Sequence, residues 1–253
     1  MPQAVHVDEQ IAHFRKDVLP RLVERYRPTR VLLFGSRARG EAREWSDLDV
    51  LIVSAAFAGV SWQDRIRQVT QECDVRLDVE PLCYTPEEFE GKVRELGIVR
   101  VAATEGVDLL GGPPLRVAEP RRAGPGDVRG WVEQAQRDLE NARRVIGVGA
   151  FEVAAFLAQQ AVEKRLKAAW ILVKQEVPPH THSISNMGDG LGVPAALRPA
   201  LVDLDRDYVA ARYPDAPTGV PYRVYDGPMA ERKVAAAEAL FEWIKRLTGE
   251  AGQ

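Results

Sequence analysis

The chain has 253 residues, of which 45% are hydrophobic and 28% charged, and its formal net charge is -3. That length can build one large domain or two modest ones, and the near balance of charge gives no basic surface of the kind that announces nucleic acid. Two cysteines, Cys73 and Cys83, provide no disulfide framework, the amino terminus has no apolar signal core, and no apolar run approaches the ~20 residues that cross a bilayer, so the expectation is a cytoplasmic protein with no membrane partner.

In chain order, Asp8 is placed to cap a helix whose apolar face is Ile11, Phe14, Val18, Leu22 and Tyr26. Arg30–Phe34 and Asp49–Val53 are short runs rich in branched apolar residues, and "VRLDVEPLCY" alternates as a third strand. Between them "WQDRIRQVTQEC" reads as a helix through Trp62, Ile66 and Val69, and Thr85-Pro86-Glu87-Glu88 is a capping box that opens another. This alternation predicts an α/β domain with a mixed sheet over residues 1–112. The stretch "GGPPLRVAEPRRAGPG" is dense in Pro and Gly and lacks periodicity, so residues 113–126 are expected to be a linker.

Beyond it strand signals cease. Trp131, Ala135, Leu139, Ala142 and Ile146 share one helical face; Phe156, Gln160, Val162, Leu166, Trp170 and Val173 mark a second helix. Leu197, Leu201, Leu204 and Tyr208 mark a third, and Val234, Ala237, Leu240, Phe241, Ile244 and Leu247 a fourth. Residues 127–253 are therefore expected to form an all-α helical bundle of four main helices and a short extra element. Leu139, Leu166, Trp170 and Phe241 read as core, and Lys164, Arg165 and Lys167 as a solvated helix face.

The stretch with chemistry in it is "LFGSRARGEAREWSDLDVLIV". Asp47 and Asp49, two residues apart at the start of a strand, send their side chains to the same face, and Asp78 of the next predicted strand can reach that face. Clustered carboxylates repel one another unless a divalent cation joins them, and Mg²⁺ favours carboxylate oxygens together with substrate phosphates. A strand ending at Gly35-Ser36 and entering a helix offers amides and a hydroxyl to phosphate oxygens, with Arg37 and Arg39 near enough to add charge. Glu80 shares the strand face of Asp78 and rivals it as third acid, and Asp74 is a further rival.

"GSRARGEAREWSDLDVLIV" resembles the DNA polymerase beta nucleotidyltransferase superfamily, in particular its minimal nucleotidyltransferase branch: an apolar residue, Gly-Ser, ten residues between Ser36 and Asp47, then Asp-x-Asp before an apolar run. The resemblance implies that Asp47, Asp49 and Asp78 are catalytic and hold Mg²⁺ or Mn²⁺. It further implies that Gly35, Ser36, Arg37, Arg39 and Ser46 bind the nucleotide phosphates. The implied reaction moves a nucleoside monophosphate, by default AMP from ATP, to a hydroxyl on a small molecule or a protein and releases pyrophosphate. "DLENARR", "FLAQQAVEKRLKAAW", "HTHSI" and "DLDRDYVAARYPD" resemble the HEPN family of helical bundles, whose members often accompany minimal nucleotidyltransferases, sometimes as toxin–antitoxin pairs, and commonly dimerise. Many are ribonucleases with an arginine followed about four to six residues later by a titratable histidine. The four histidines here, His6, His13, His180 and His182, do not follow an arginine at that spacing; His180 and His182 read as loop packing and helix capping, and Arg212 and Tyr213 either bind a nucleotide or tie helix to loop.

Three functions remain open at this level. One is a metal-dependent nucleotidyltransferase, another a toxin–antitoxin-type module whose helical half binds or cleaves RNA, and the last a nucleotide sensor without turnover. Three carboxylates exceed what sensing requires, and the missing arginine–histidine spacing counts against RNA cleavage.

Overall fold

The computed structural model describes residues 8–42, 46–73 and 77–250, which fall into two compact units, Met1–Arg121 and Arg122–Gln253. His6 and Asp74 lie outside the described residues.

The first unit opens with α1 (Glu9–His13), a π-helical turn (Phe14–Val18) and α2 (Leu19–Tyr26). Asp8 caps α1 through its side chain, and Phe14, Val18, Leu22 and Tyr26 are buried along one continuous stripe. A four-stranded sheet follows in the order β3-β2-β1-β4, with β1 Arg30–Phe34, β2 Leu48–Val53, β3 Val79–Tyr84 and β4 Val107–Asp108. The β1 strand pairs antiparallel with β2 and β4, whereas β2 and β3 run parallel, so the sheet is mixed. A parallel pair needs a crossover, which α4 (Trp62–Glu72) provides. The β4 strand is two residues long and carries no periodicity that a sequence could show.

Alternation along β1 and β2 divides the core in two. Val31, Leu33, Leu48, Val50 and Ile52 face the helical stripe of Phe14, Val18 and Leu22. Leu32, Phe34, Leu51 and Val53 face α5 (Pro86–Lys92) and α6 (Ile98–Glu105) through Phe89, Val99, Ala102 and Ala103. The α5 helix begins at the capping box expected at Thr85, with Thr85 and Glu88 exchanging both bonds. The Pro-rich stretch is less free than a linker: Leu115 and Val117 pack against the second core, and Arg100 and Arg30 donate to the carbonyls of Ala118 and Pro113 at 2.8 and 3.0 Å. The alternation of Leu115 and Val117 inside that stretch supplies apolar contacts which its Pro and Gly content obscures.

Among its described residues the second unit has helices and connecting loops but no strand. Its main helices are α7 (Pro125–Ile146), α8 (Phe151–Lys174), α10 (Arg198–Asp205) and α13 (Gly227–Thr248), with short α9 (Ile184–Gly190), α11 (Asp207–Ala210) and α12 (Pro221–Val224). The expected third helix is broken between α10 and α11, so Tyr208 sits on a separate turn. Leu139, Val162, Leu166, Leu201, Leu204, Leu240, Phe241 and Ile244 form the core, and Trp170 packs at its edge. Among the described residues no helix is long and apolar enough to cross a membrane.

Candidate functional site

The acids gather at the end of the sheet face that α5 and α6 cover. Asp49 lies opposite Phe34 of β1 and opposite Glu80 of β3. Asp47 and Asp78 stand one residue before their strands, where the Leu48 amide donates to the Asp78 carbonyl at 2.7 Å. Continuing the register puts Asp47 opposite Asp78, so all four carboxylates share one face. Burial raises the pKa of Asp47, the charges of Asp78 and Glu80 raise it further, and a hydrogen bond to the Asp78 side chain holds its proton, against a smaller opposing effect of Arg37. Asp47 and Asp49 are half-buried, and Asp78 and Glu80 are exposed.

The turn between β1 and α3 (Gly35–Ala38) lies directly against Asp49. Gly35 has φ +73°, and a Cβ built on it would stand 2.0 Å from Asp49 Oδ2. The turn therefore requires glycine twice over, for its backbone conformation and for the approach of the carboxylate. Ser36 is half-buried beside it.

The two arginines of the turn go separate ways. Arg39 is exposed, donating through Nε to Glu41 at 2.8 Å and standing 3.9 Å from Glu105. Arg37, expected to meet phosphate, is only 6% exposed. Its Nε donates to the Ser46 carbonyl at 2.7 Å and its terminal nitrogen to Asp8 Oδ2 at 2.8 Å. In this structure the guanidinium meets protein acceptors through two of its nitrogens. Ser46 meets it through its carbonyl.

Among the described residues no three potential metal ligands are already drawn into a closed set. The donor chemistry nevertheless fits a hard divalent cation: every candidate ligand is a carboxylate oxygen, and Asp47 and Asp78 are close enough to share a proton that a cation would replace.

The helical unit holds a second cluster. The His182 ring stacks on Tyr208 with centroids 4.1 Å apart and planes 13° from parallel. Arg212 lies 4.1 Å from the centroid of the same ring, which leaves it the opposite face. Arg212 also sits beside Phe156 and Tyr213 and donates through Nε to the Tyr208 carbonyl at 2.6 Å. His182 Nδ1 is 3.1 Å from the buried Glu163 carboxylate, which Lys167 meets at 2.9 Å. Burial alone would raise the pKa of Glu163; Lys167 and His182 outweigh it and hold the carboxyl below its ordinary value. Tyr213 is exposed, and His180 is exposed in the preceding loop.

A model of the nucleotidyltransferase domain family matches residues 15–104, and a model of the HEPN domain family matches residues 128–247. The probable protein adenylyltransferase MntA of Haemophilus influenzae is 34% identical over 86 residues, covering 33% of this chain and 73% of that protein. The putative protein adenylyltransferase MJ0141 of Methanocaldococcus jannaschii is 32% identical over 82 residues, covering 32% of this chain and 81% of that protein. This chain belongs to the nucleotidyltransferase family. Its helical half is a HEPN domain, 35% identical to the archaeal HEPN homologue ST0689 in an alignment covering 48% of this chain and 97% of that one, with a TM-score of 0.41.

Within the nucleotidyltransferase domain, then, the structure brings together Gly35, Ser36, Asp47, Asp49, Asp78 and Glu80 and turns Arg37 inward. In the HEPN domain it corrects the solvated face: Arg165 is 2% exposed and pairs with Glu250, while Lys164 and Lys167 pair with Asp138 and Glu163. Helical spacing sends Arg165 toward α13, where it lies 6.0 Å from the Phe241 ring centroid. Sequence reasoning gave Asp8 only a capping role and left His182 apart from Arg212. No spacing rule links either pair, since the partners belong to different elements.

Proposed function

We propose that this nucleotidyltransferase moves AMP from ATP to a hydroxyl of a protein acceptor and releases pyrophosphate. The observation that carries the reading is the shared sheet face of Asp47, Asp49 and Asp78, with Asp47 beside Asp78 and Asp49 so close to Gly35 that no Cβ fits between them. The names of the two curated relatives support AMP and a protein as donor group and acceptor.

Asp47, Asp49 and Asp78 would hold one or two divalent ions, Mg²⁺ or Mn²⁺. Such ions, when bound, neutralise phosphate charge and align attacking and leaving oxygens. The turn at Gly35-Ser36 lets the backbone approach the polyphosphate closely and offers the Ser36 hydroxyl as a donor. The pairs of Arg39 with Glu41 and Glu105 are exposed, so it can exchange Glu41 for a triphosphate oxygen. The exposed carboxylate of Asp78 stands where it can accept the proton of the incoming hydroxyl. Each oxygen that attacks phosphorus forms one P–O bond as the bond to pyrophosphate breaks, and the displaced proton goes to that carboxylate.

The test is transfer of label from α-labelled ATP to protein with Mg²⁺ or Mn²⁺ present. Transfer is expected from the native chain and lost, by at least a hundredfold, in Asp47→Asn and Asp49→Asn. Undiminished labelling in both variants would overturn the reading.

A second reading has one observation in its favour: the His182–Tyr208–Arg212 column presents a cation and an imidazole on the same HEPN surface without the family's usual spacing. In that reading the HEPN half binds or cleaves RNA. RNA loss that survives Asp47→Asn but not Arg212→Ala or His182→Ala would select it.

A further inference from the structure

Arg37 joins three parts of the nucleotidyltransferase domain. It leaves the glycine turn, crosses to Asp8 at the start of α1, and grips the carbonyl of Ser46, the residue before Asp47. Asp8 is itself fixed, because its other oxygen accepts from the amides of Gln10 and Ile11 at 3.0 and 3.2 Å. A chain of hydrogen bonds therefore runs from the first turn of α1 through a buried guanidinium to the peptide that delivers the first acid of the site.

We propose that Arg37 and Asp8 form a positioning clamp for Asp47, and that Arg37 acts on the reaction without touching the nucleotide. The inference rests on the reading of Asp47 as part of the phosphate and cation site. Ser46 and Asp47 precede β2, which begins at Leu48, so the strand ladder itself does not hold the peptide between them. A guanidinium has the geometry for it: two nitrogens of one planar fork reach a carbonyl and a carboxylate in different directions, which a single ammonium cannot match. The guanidinium is 6% exposed, which shields its end of both bonds from water, and a buried guanidinium without its acid would be costly. Fixing the Ser46 carbonyl fixes the plane of the Ser46–Asp47 peptide, and with it the direction in which the Asp47 side chain leaves.

Asp8→Asn and Arg37→Lys in the full chain test the clamp. Asparagine retains the oxygen that caps α1 but removes the charge facing Arg37, and lysine retains the charge but not the fork. For the native chain and both variants the measurements are kcat and KM for ATP, Mn²⁺ affinity without nucleotide, and hydrogen exchange of residues 46–50 without metal. The clamp predicts that both variants lose kcat by about 10- to 100-fold, the scale of a misplaced catalytic group. Their KM for ATP should change less than about threefold, Mn²⁺ should bind more weakly, exchange at 46–50 should rise, and the double variant should be little worse than either single one. A phosphate-binding Arg37 would instead give a raised KM in Arg37→Lys and a neutral Asp8→Asn, and that pattern overturns the proposal. If the native chain transfers nothing, the Mn²⁺ and exchange measurements still decide the clamp separately from the transferase reading.

Discussion

The site carries its chemistry in a conflict between like charges. Asp47 is held above its ordinary pKa by burial first and by Asp78 and Glu80 next. The folded chain thus binds this proton more tightly than the unfolded one, so the group's stabilising contribution is present at acid pH and lost as pH rises through the raised folded value. Asp78→Asn removes one of the repelling charges and leaves an amide that can donate to Asp47. At pH 7 and without metal its Tm is expected to rise by roughly 1–4 °C, because a half-exposed pair contributes less than ~1 kcal/mol and each 1 kcal/mol moves a domain of about 100 residues by ~4–8 °C. The gain should shrink toward pH 4, and divalent metal should stabilise the native chain more than the variant. Differential scanning fluorimetry across pH reads all three effects, and a Tm that falls at pH 7 would mean that the two acids do not oppose each other.

At the scale of elements, what the sequence disclosed was governed by local rules. Strand alternation placed Asp47 and Asp49 on one face, the capping box at Thr85 set the start of α5, and helical spacing assigned Leu166 and Phe241 to a core. Pairings between distant elements were not legible: Arg37 reaches Asp8 across 29 positions, and Tyr208 of α11 stacks on His182 in a separate loop. The first residue of α11, Asp207, is buried, accepts from Tyr225 at 2.6 Å and meets Lys233 of α13 at 2.9 Å. Burial raises the pKa of Asp207 despite these partners and also raises that of Tyr225. Lys233→Met leaves this acid without its cation and is expected to cost about 3–5 kcal/mol. Chemical denaturation should show that loss, and the double variant Asp207→Asn with Lys233→Met should recover much of it. A neutral Lys233→Met would mean that packing alone holds α11 to α13.

For the whole molecule, the core of Leu166, Leu204 and Phe241 shares no residue with the two cores that sandwich the sheet. A core is the part of a domain that melts cooperatively, and a ligand shifts only the transition of the part it binds. Leu166 is fully buried, so Leu166→Ala should leave a cavity costing about 2–5 kcal/mol within the HEPN domain. ATP with Mg²⁺ at a hundred times its Kd should add about 2.7 kcal/mol to the nucleotidyltransferase domain. Calorimetry is therefore expected to resolve two transitions, one lowered by Leu166→Ala and unmoved by nucleotide, the other raised by nucleotide and unmoved by the substitution. Asp49→Asn should abolish the nucleotide shift while leaving the HEPN transition in place. A single transition that both perturbations move together would show that the halves fold as one body, and the HEPN domain would then have to be counted as part of the nucleotide site's own framework.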